Sequence, residues 1–131
     1  MERLILDTGV LVGFERGVTI SVETIPDTAS LAIAAITASE LLVGVELADG
    51  ARRDARASTV RAILETLDVL PFDLEIARHH AALLAHARRT GRPRGAHDLL
   101  IAATARATGR TLVTTDLSAF DDLPGVEYRV A

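Results

Sequence analysis

Short apolar runs with strand character alternate along this chain with longer segments of helical spacing, and that alternation limits the fold more than any other feature. The first run is Arg3-Leu4-Ile5-Leu6, which delivers Asp7 and Thr8 at its end; the apolar spacing from Gly9 to Phe14 then reads as a short helix. Residues 15–30 are polar and broken by Gly17 and Pro26, so they form a surface connection. Residues 31–36 are a buried second strand, and Thr37 opens a helix through Ala48 with Leu41, Leu42 and Val45 on one face. A charged helix follows over 51–67 with Val60, Ile63, Leu64 and Leu67 inward. Asp68 to Phe72 is a short third strand closed by Pro71, and a long helix runs from Asp73 to Thr90.

The segment from Gly91 to Gly95 is a loop, since Gly and Pro punctuate it. From Asp98 to Thr108 the pattern is apolar almost all round, which marks a buried helix, and Gly109 stands where a helix stops. Residues 111–115 form a fourth strand ending at Asp116, and residues 126–130 offer a fifth. Strands that alternate with helices imply a parallel sheet covered on both faces. The expected fold is therefore a three-layer α/β/α sandwich on a central parallel sheet of four or five strands, with residues 1–131 as one domain of ordinary size.

Aromatic residues make up 3% of a chain that is 49% hydrophobic, so the core has to be built from Leu, Val, Ile and Ala. No apolar run has the length of a membrane span and the chain starts directly on a strand, from which a cytoplasmic protein with no membrane partner is expected. Cysteine is absent, which excludes disulfides, thiolate metal sites and a cysteine nucleophile. The net charge of -4 argues against a generally basic nucleic-acid binder. Its distribution is uneven, however. Between Arg78 and Arg110 seven arginines stand against the single acid Asp98, and the chain has no lysine. Within that stretch Arg88, Arg89, Arg92 and Arg94 are candidates to grip phosphates, with a solvated loop as the plainer reading.

Four acids carry the candidate chemistry. In a parallel sheet, Asp7 and Asp116 lie at strand ends on one edge, and the helices bearing Glu40 and Asp98 begin at that edge, where ligands bind in open α/β folds. Each acid has an ordinary explanation. Thr37-Ala38-Ser39-Glu40 matches a capping box, and the three aspartates each precede or begin a helix. Taken together, four converging carboxylates would repel and raise one another's pKa unless a divalent cation offset the charge. Oxygen donors with one optional imidazole suit Mg²⁺ better than zinc, and such a site activates water against a phosphodiester. His79, His80 and His86 share a helix but do not converge, which favours a solvated face over a metal-free acid–base pair.

Residues 4–8, 37–41, 97–103 and 112–116 resemble the four acidic motifs of PIN-domain ribonucleases, and the length and the ending from Phe120 to Val126 are similar to the VapC toxins of bacterial toxin–antitoxin pairs. The resemblance implies that Asp7, Glu40, Asp98 and Asp116 coordinate Mg²⁺ or Mn²⁺ and that RNA is cut to a 5′-phosphate and a 3′-hydroxyl. It further implies that Thr115 orients a ligand or the substrate and that a VapB-like antitoxin covers the active edge. Thr8, Arg92 and Arg94 are also expected on the substrate side, and the apolar faces of the first helix and of residues 51–67 suit either the antitoxin or a homodimer contact. His97 and Ala119 depart from the common pattern, which makes Asp121 an alternative to Asp116. An inactive PIN-like module that binds RNA or protein without cutting is the competing reading. Other acid-bearing α/β classes lack support: Gly9 stands where a dehalogenase-like phosphatase needs a second Asp, a phospho-receiver needs a lysine, and the glycines after the first strand do not form a dinucleotide-binding turn.

Overall fold

In the computed structural model, which describes residues 1–131, five strands form one sheet in the order β3-β2-β1-β4-β5, with every neighbouring pair parallel. The strands are β1 (Arg3–Leu6), β2 (Ser30–Ala34), β3 (Asp68–Leu70), β4 (Thr111–Thr114) and β5 (Tyr128–Val130). The helices are α1 (Thr8–Glu15), α2 (Ala35–Glu46), α3 (Gly50–Thr66), α4 (Leu74–Thr90) and α5 (Ala96–Thr108). A single 3-10 turn, Leu117–Ala119, follows β4.

Strand alternation sorts the core into two halves, one on each face of the sheet. Ile5 and Leu112, register partners on β1 and β4, turn to the side of α4 and α5, where they meet Ile76, Leu83, Leu99 and Ile101; Phe120 and Leu123 close that half. Leu4, Leu6, Ile33 and Val113 turn the other way, to Val10 and Leu11 of α1, Leu41 and Val45 of α2 and Val60 of α3. The expected three-layer sandwich and all five strands are present. Leu, Ile, Val and Ala fill both halves, with Phe120 the one fully buried aromatic.

Helix ends follow local chemistry. Asp73 caps α4 by accepting from the Ile76 amide at 2.9 Å, and the left-handed Gly91 and Gly109 end α4 and α5. One boundary differs from the sequence reading in a way that matters. Helix α2 begins at Ala35, so Thr37 lies inside its first turn, fully buried, and its N-cap is Ala34 with no side-chain cap. The capping box expected for Thr37 and Glu40 is therefore not formed, and the Glu40 carboxylate is free for another partner.

At the opposite end of the sheet Arg110 is buried and its Nη1 donates to the Leu4 and Ser30 carbonyls at 3.0 and 3.1 Å, tying the starts of β1, β2 and β4 together. Burial lowers the pKa of this guanidinium from its ordinary value, with Arg3 adding to the effect and Asp68 opposing it.

Candidate active site at the sheet switch point

The order β3-β2-β1-β4-β5 reverses direction between β1 and β4, and ligands of open α/β sheets bind in the crevice outside the carboxyl ends of strands at such a point. Asp7 directly follows β1 and Asp116 follows β4 by two residues. Both carboxylates therefore belong to this crevice through chain path alone.

Asp7 is buried and firmly held. Its Oδ1 accepts from the Thr8 amide at 2.8 Å, which caps α1, and its Oδ2 accepts from the Thr114 hydroxyl at 2.9 Å. Burial raises its pKa most; the bonds from Thr114 and Thr8 oppose that, and the charges of Glu40 and Asp116 add to the rise.

Asp98 sits in the first turn of α5, with its Oδ2 over the backbone of Gly95. Its pKa is raised by burial first, then by the charges of Asp7, Asp116 and Glu40, while His97 opposes. Electrostatically, the four acids predicted from sequence therefore act as one group. Their side chains are nonetheless spread out: no three His or acidic side chains lie close enough together to ligate one ion.

Glu40 accepts from the Thr8 hydroxyl at 2.9 Å, with the Thr37 hydroxyl 3.2 Å from the same Thr8 oxygen. Its other oxygen lies 3.4 Å from His97 Nδ1. Glu40, expected to close a capping box, instead reaches across from α2 to α1 and α5. Asp116 turns its Oδ1 to the Ser118 amide and hydroxyl, at 3.1 and 2.7 Å, and thereby starts the 3-10 turn.

The remaining site expectations fare differently. Thr8 donates its hydroxyl to Glu40, which places it beside a site acid. Thr115 is exposed beside Gly9, where an added Cβ would stand 3.0 Å from the Thr115 hydroxyl. Arg94 does not face solvent: its side chain is 4% exposed, and Nη1 and Nη2 donate to the Ala119 and Asp121 carbonyls at 3.0 and 2.6 Å. Arg92 donates to Asp121 Oδ1 at 2.6 Å and to the Ser118 carbonyl at 3.2 Å. The phosphate grip expected of Arg94 is thus corrected to a clamp between the 91–95 loop and the turn after Asp116, with Arg92 sharing it. Asp121, the alternative to Asp116, is occupied by Arg92.

Thr114 was not singled out in the sequence, although its place at the end of a buried strand two residues before an acid was a readable signal. The helix histidines are spent along α4: His79 on Glu75, His80 edge-on against Phe72 and His86 on the Asp122 carbonyl.

Oxygen donors with one imidazole, mutual charge repulsion and two carboxyls pushed toward the neutral form suit a hard divalent cation. The fold and the crevice define a class, that of three-layer α/β/α proteins with an acidic site at a sheet switch point. Within that class, a family model described as PIN domain matches residues 4–126. Ribonuclease VapC5 of Mycobacterium tuberculosis is 35% identical over 127 residues, which cover 94% of this chain and 91% of that one. A tRNA(fMet)-specific endonuclease VapC of Salmonella typhimurium is 32% identical over 100 residues, covering 76% and 74%. The crystal structure of VapBC-5 from Mycobacterium tuberculosis, a member of the VapBC family of toxin-antitoxin systems, superposes with a TM-score of 0.84 at 30% identity, over 100% of both chains. The chain belongs to the PIN-domain family, among its VapC ribonucleases.

Proposed function

We propose that this protein is a divalent-metal-dependent endoribonuclease, with Mg²⁺ or Mn²⁺ as the ion, and that it is the toxin of a toxin–antitoxin pair. The reading is supported by the position of Asp7, Glu40, Asp98 and Asp116 around the switch point, where burial first and then their mutual repulsion raise the pKa of Asp7 and Asp98. When bound, a divalent cation supplies the neutralising charge, polarises a phosphodiester and lowers the pKa of water.

The chain's own groups do the rest. The Thr8 amide and Thr114 hold Asp7 to one rotamer, and Thr8 fixes Glu40 by one oxygen. His97 faces the other Glu40 oxygen, with Nδ1 3.4 Å away, which positions that carboxylate between α1 and α5. In this reading the four acids are the catalytic and metal-holding residues, and hydrolysis leaves a 5′-phosphate and a 3′-hydroxyl. Thr115, exposed above the crevice, is the substrate-side hydroxyl.

We assign a VapB-like antitoxin as the protein partner by similarity to the VapBC-5 complex, a homodimer as the assembly and the cytoplasm as the place of action. No helix is long and apolar enough to cross a membrane. The whole of 1–131 acts as one domain in this reading.

The test is cleavage of a structured RNA in Mg²⁺, repeated in EDTA and with Asp7→Asn, with the product ends mapped. Cutting that disappears in both controls is the expected result. Persistent cutting by Asp7→Asn, or a cyclic phosphate at the 3′ side, overturns it; metal-independent RNA binding without cutting identifies an inactive module.

A further inference from the structure

Of the four arginines expected to hold RNA, Arg92 and Arg94 are consumed by the 117–121 turn while Arg88 and Arg89 stay exposed at the end of α4, and a polyanion lying over four acids needs further basic groups beside them. A different set stands free. A cleft of about 320 Å³ runs between α1 and α2 with Glu40 in its wall, and Arg16, Arg56 and Glu15 line it further along. A second cleft of about 240 Å³ continues from it, sharing Glu15 and Arg56 and adding Arg52 and Thr59 of α3. The two form one groove that starts at a site carboxylate and leads away over three guanidinium groups.

Within this groove Arg16 and Arg52 are exposed and make no hydrogen bond or ion pair inside the chain. Arg56 uses only Nη1, which donates to the Gly44 carbonyl at 3.2 Å. By contrast, Arg53 on the same helix is paired with Glu46, and Arg129 with Glu2. Three arginines against Glu15 and Glu40 leave the groove net positive by one in a chain whose net charge is -4.

We infer that this groove is a phosphate-binding subsite in which Arg16, Arg52 and Arg56 hold the RNA backbone on one side of the scissile bond. The inference rests on the ribonuclease reading and adds to it where the strand runs. Guanidinium groups bind phosphate by paired hydrogen bonds, and a free fork is the form in which they do so. A strand seated at Asp7 and Asp98 leaves over Glu40, and the groove begins there. Such contacts carry affinity and register but no base identity.

The experiment measures anisotropy of a short fluorescein-labelled single-stranded RNA in Mg²⁺, in an Asp7→Asn background that prevents cutting, over a series of salt concentrations. Arg16→Gln and Arg52→Gln are each expected to weaken binding about 3- to 10-fold and to lower the slope of log K against log salt by about 0.7 per arginine. Arg16→Lys is expected to restore most of the slope. Arg61→Gln, exposed further along α3, is expected to match the parent. In the cleaving protein the double variant raises KM and leaves kcat unchanged, which a loss of folding would not do.

If the parent binds RNA and the double variant binds it with equal affinity and salt slope, the inference is overturned. In a parallel titration with fluorescein-labelled poly-glutamate, binding by the parent that the double variant loses while RNA binding stays intact also overturns it, in favour of an acidic protein ligand. A parent that neither binds nor cuts RNA defeats the ribonuclease reading itself, and the subsite with it.

Discussion

The Thr114 hydroxyl donates to Asp7 Oδ2 at 2.9 Å across a sequence separation of 107 residues, joining the end of β4 to the corner where β1 becomes α1. The bond favours the ionised carboxylate in a place where burial disfavours it. Thr114→Val keeps the shape and removes the donor. The expected outcome is a loss of about 1–3 kcal/mol in denaturant unfolding, from a buried acceptor left short of a partner, and weaker Mg²⁺ or Mn²⁺ binding by calorimetry. Unchanged metal affinity would count against a positioning role.

Asp98 gives a pH dependence with a definite sign. Its folded-state pKa lies above the unfolded value, so the fold favours its neutral form. That contribution is fully present below the unfolded pKa and is lost as pH rises through the raised folded one, and Asp7 behaves in the same direction. At pH 7 the metal-free protein therefore carries a charge penalty. Asp98→Asn is expected to raise the metal-free Tm at pH 7 by about 3–5 °C for each kcal/mol relieved, and by less at pH 4. Millimolar Mg²⁺ should raise the wild-type Tm at pH 7 and leave Asp98→Asn nearly unmoved. A variant less stable than wild type at both pH values would contradict this account.

Gly95 separates stability from function. Its backbone, at φ -58° and ψ 139°, suits any residue, but an added Cβ would stand 2.7 Å from Asp98 Oδ2. The contact is with the end of a side chain, so Gly95→Ala displaces the carboxylate and spares the backbone. Its Tm is expected to hold or to rise by up to the equivalent of about 0.5–1 kcal/mol, since alanine has less freedom to lose in the unfolded chain. RNA cleavage in Mg²⁺ should fall about 10-fold or more. Full activity would show that the position of Asp98 is not critical.

Two buried arginines make a matched pair for the same purpose. Arg110 joins strand starts at the far end of the sheet, and Arg94 clamps the turn after Asp116 to the loop before α5. Replacement by Met strands carbonyl groups in both cases, at a cost of about 1–3 kcal/mol each. Activity per folded molecule should survive Arg110→Met, whereas Arg94→Met should lower it and weaken metal binding, because Asp116 and Asp98 flank the clamp. Equal activity losses in the two variants would remove the distinction.

The sheet and the sequence positions of the acids were readable because each strand run is apolar and ends on a polar corner. The start of α2 was not: Ala34, Ala35 and Ile36 suit a buried strand and a buried helix alike, and that two-residue ambiguity turned Glu40 into an apparent cap. The fate of Arg92 and Arg94 was hidden for another reason. Their partners are carbonyls and one carboxylate in an aperiodic turn some 25 residues away, and main-chain acceptors leave no mark on residue type.

β1 lies between β2 and β4, so the first strand made is also the one that waits for the last quarter of the chain to reach its second neighbour. While residues 111–116 are still inside the ribosome, Asp7 lacks its threonine donor and Asp116 has not arrived. A nascent chain at that stage has no assembled acidic crevice, so the site takes shape only once β4 has paired with β1.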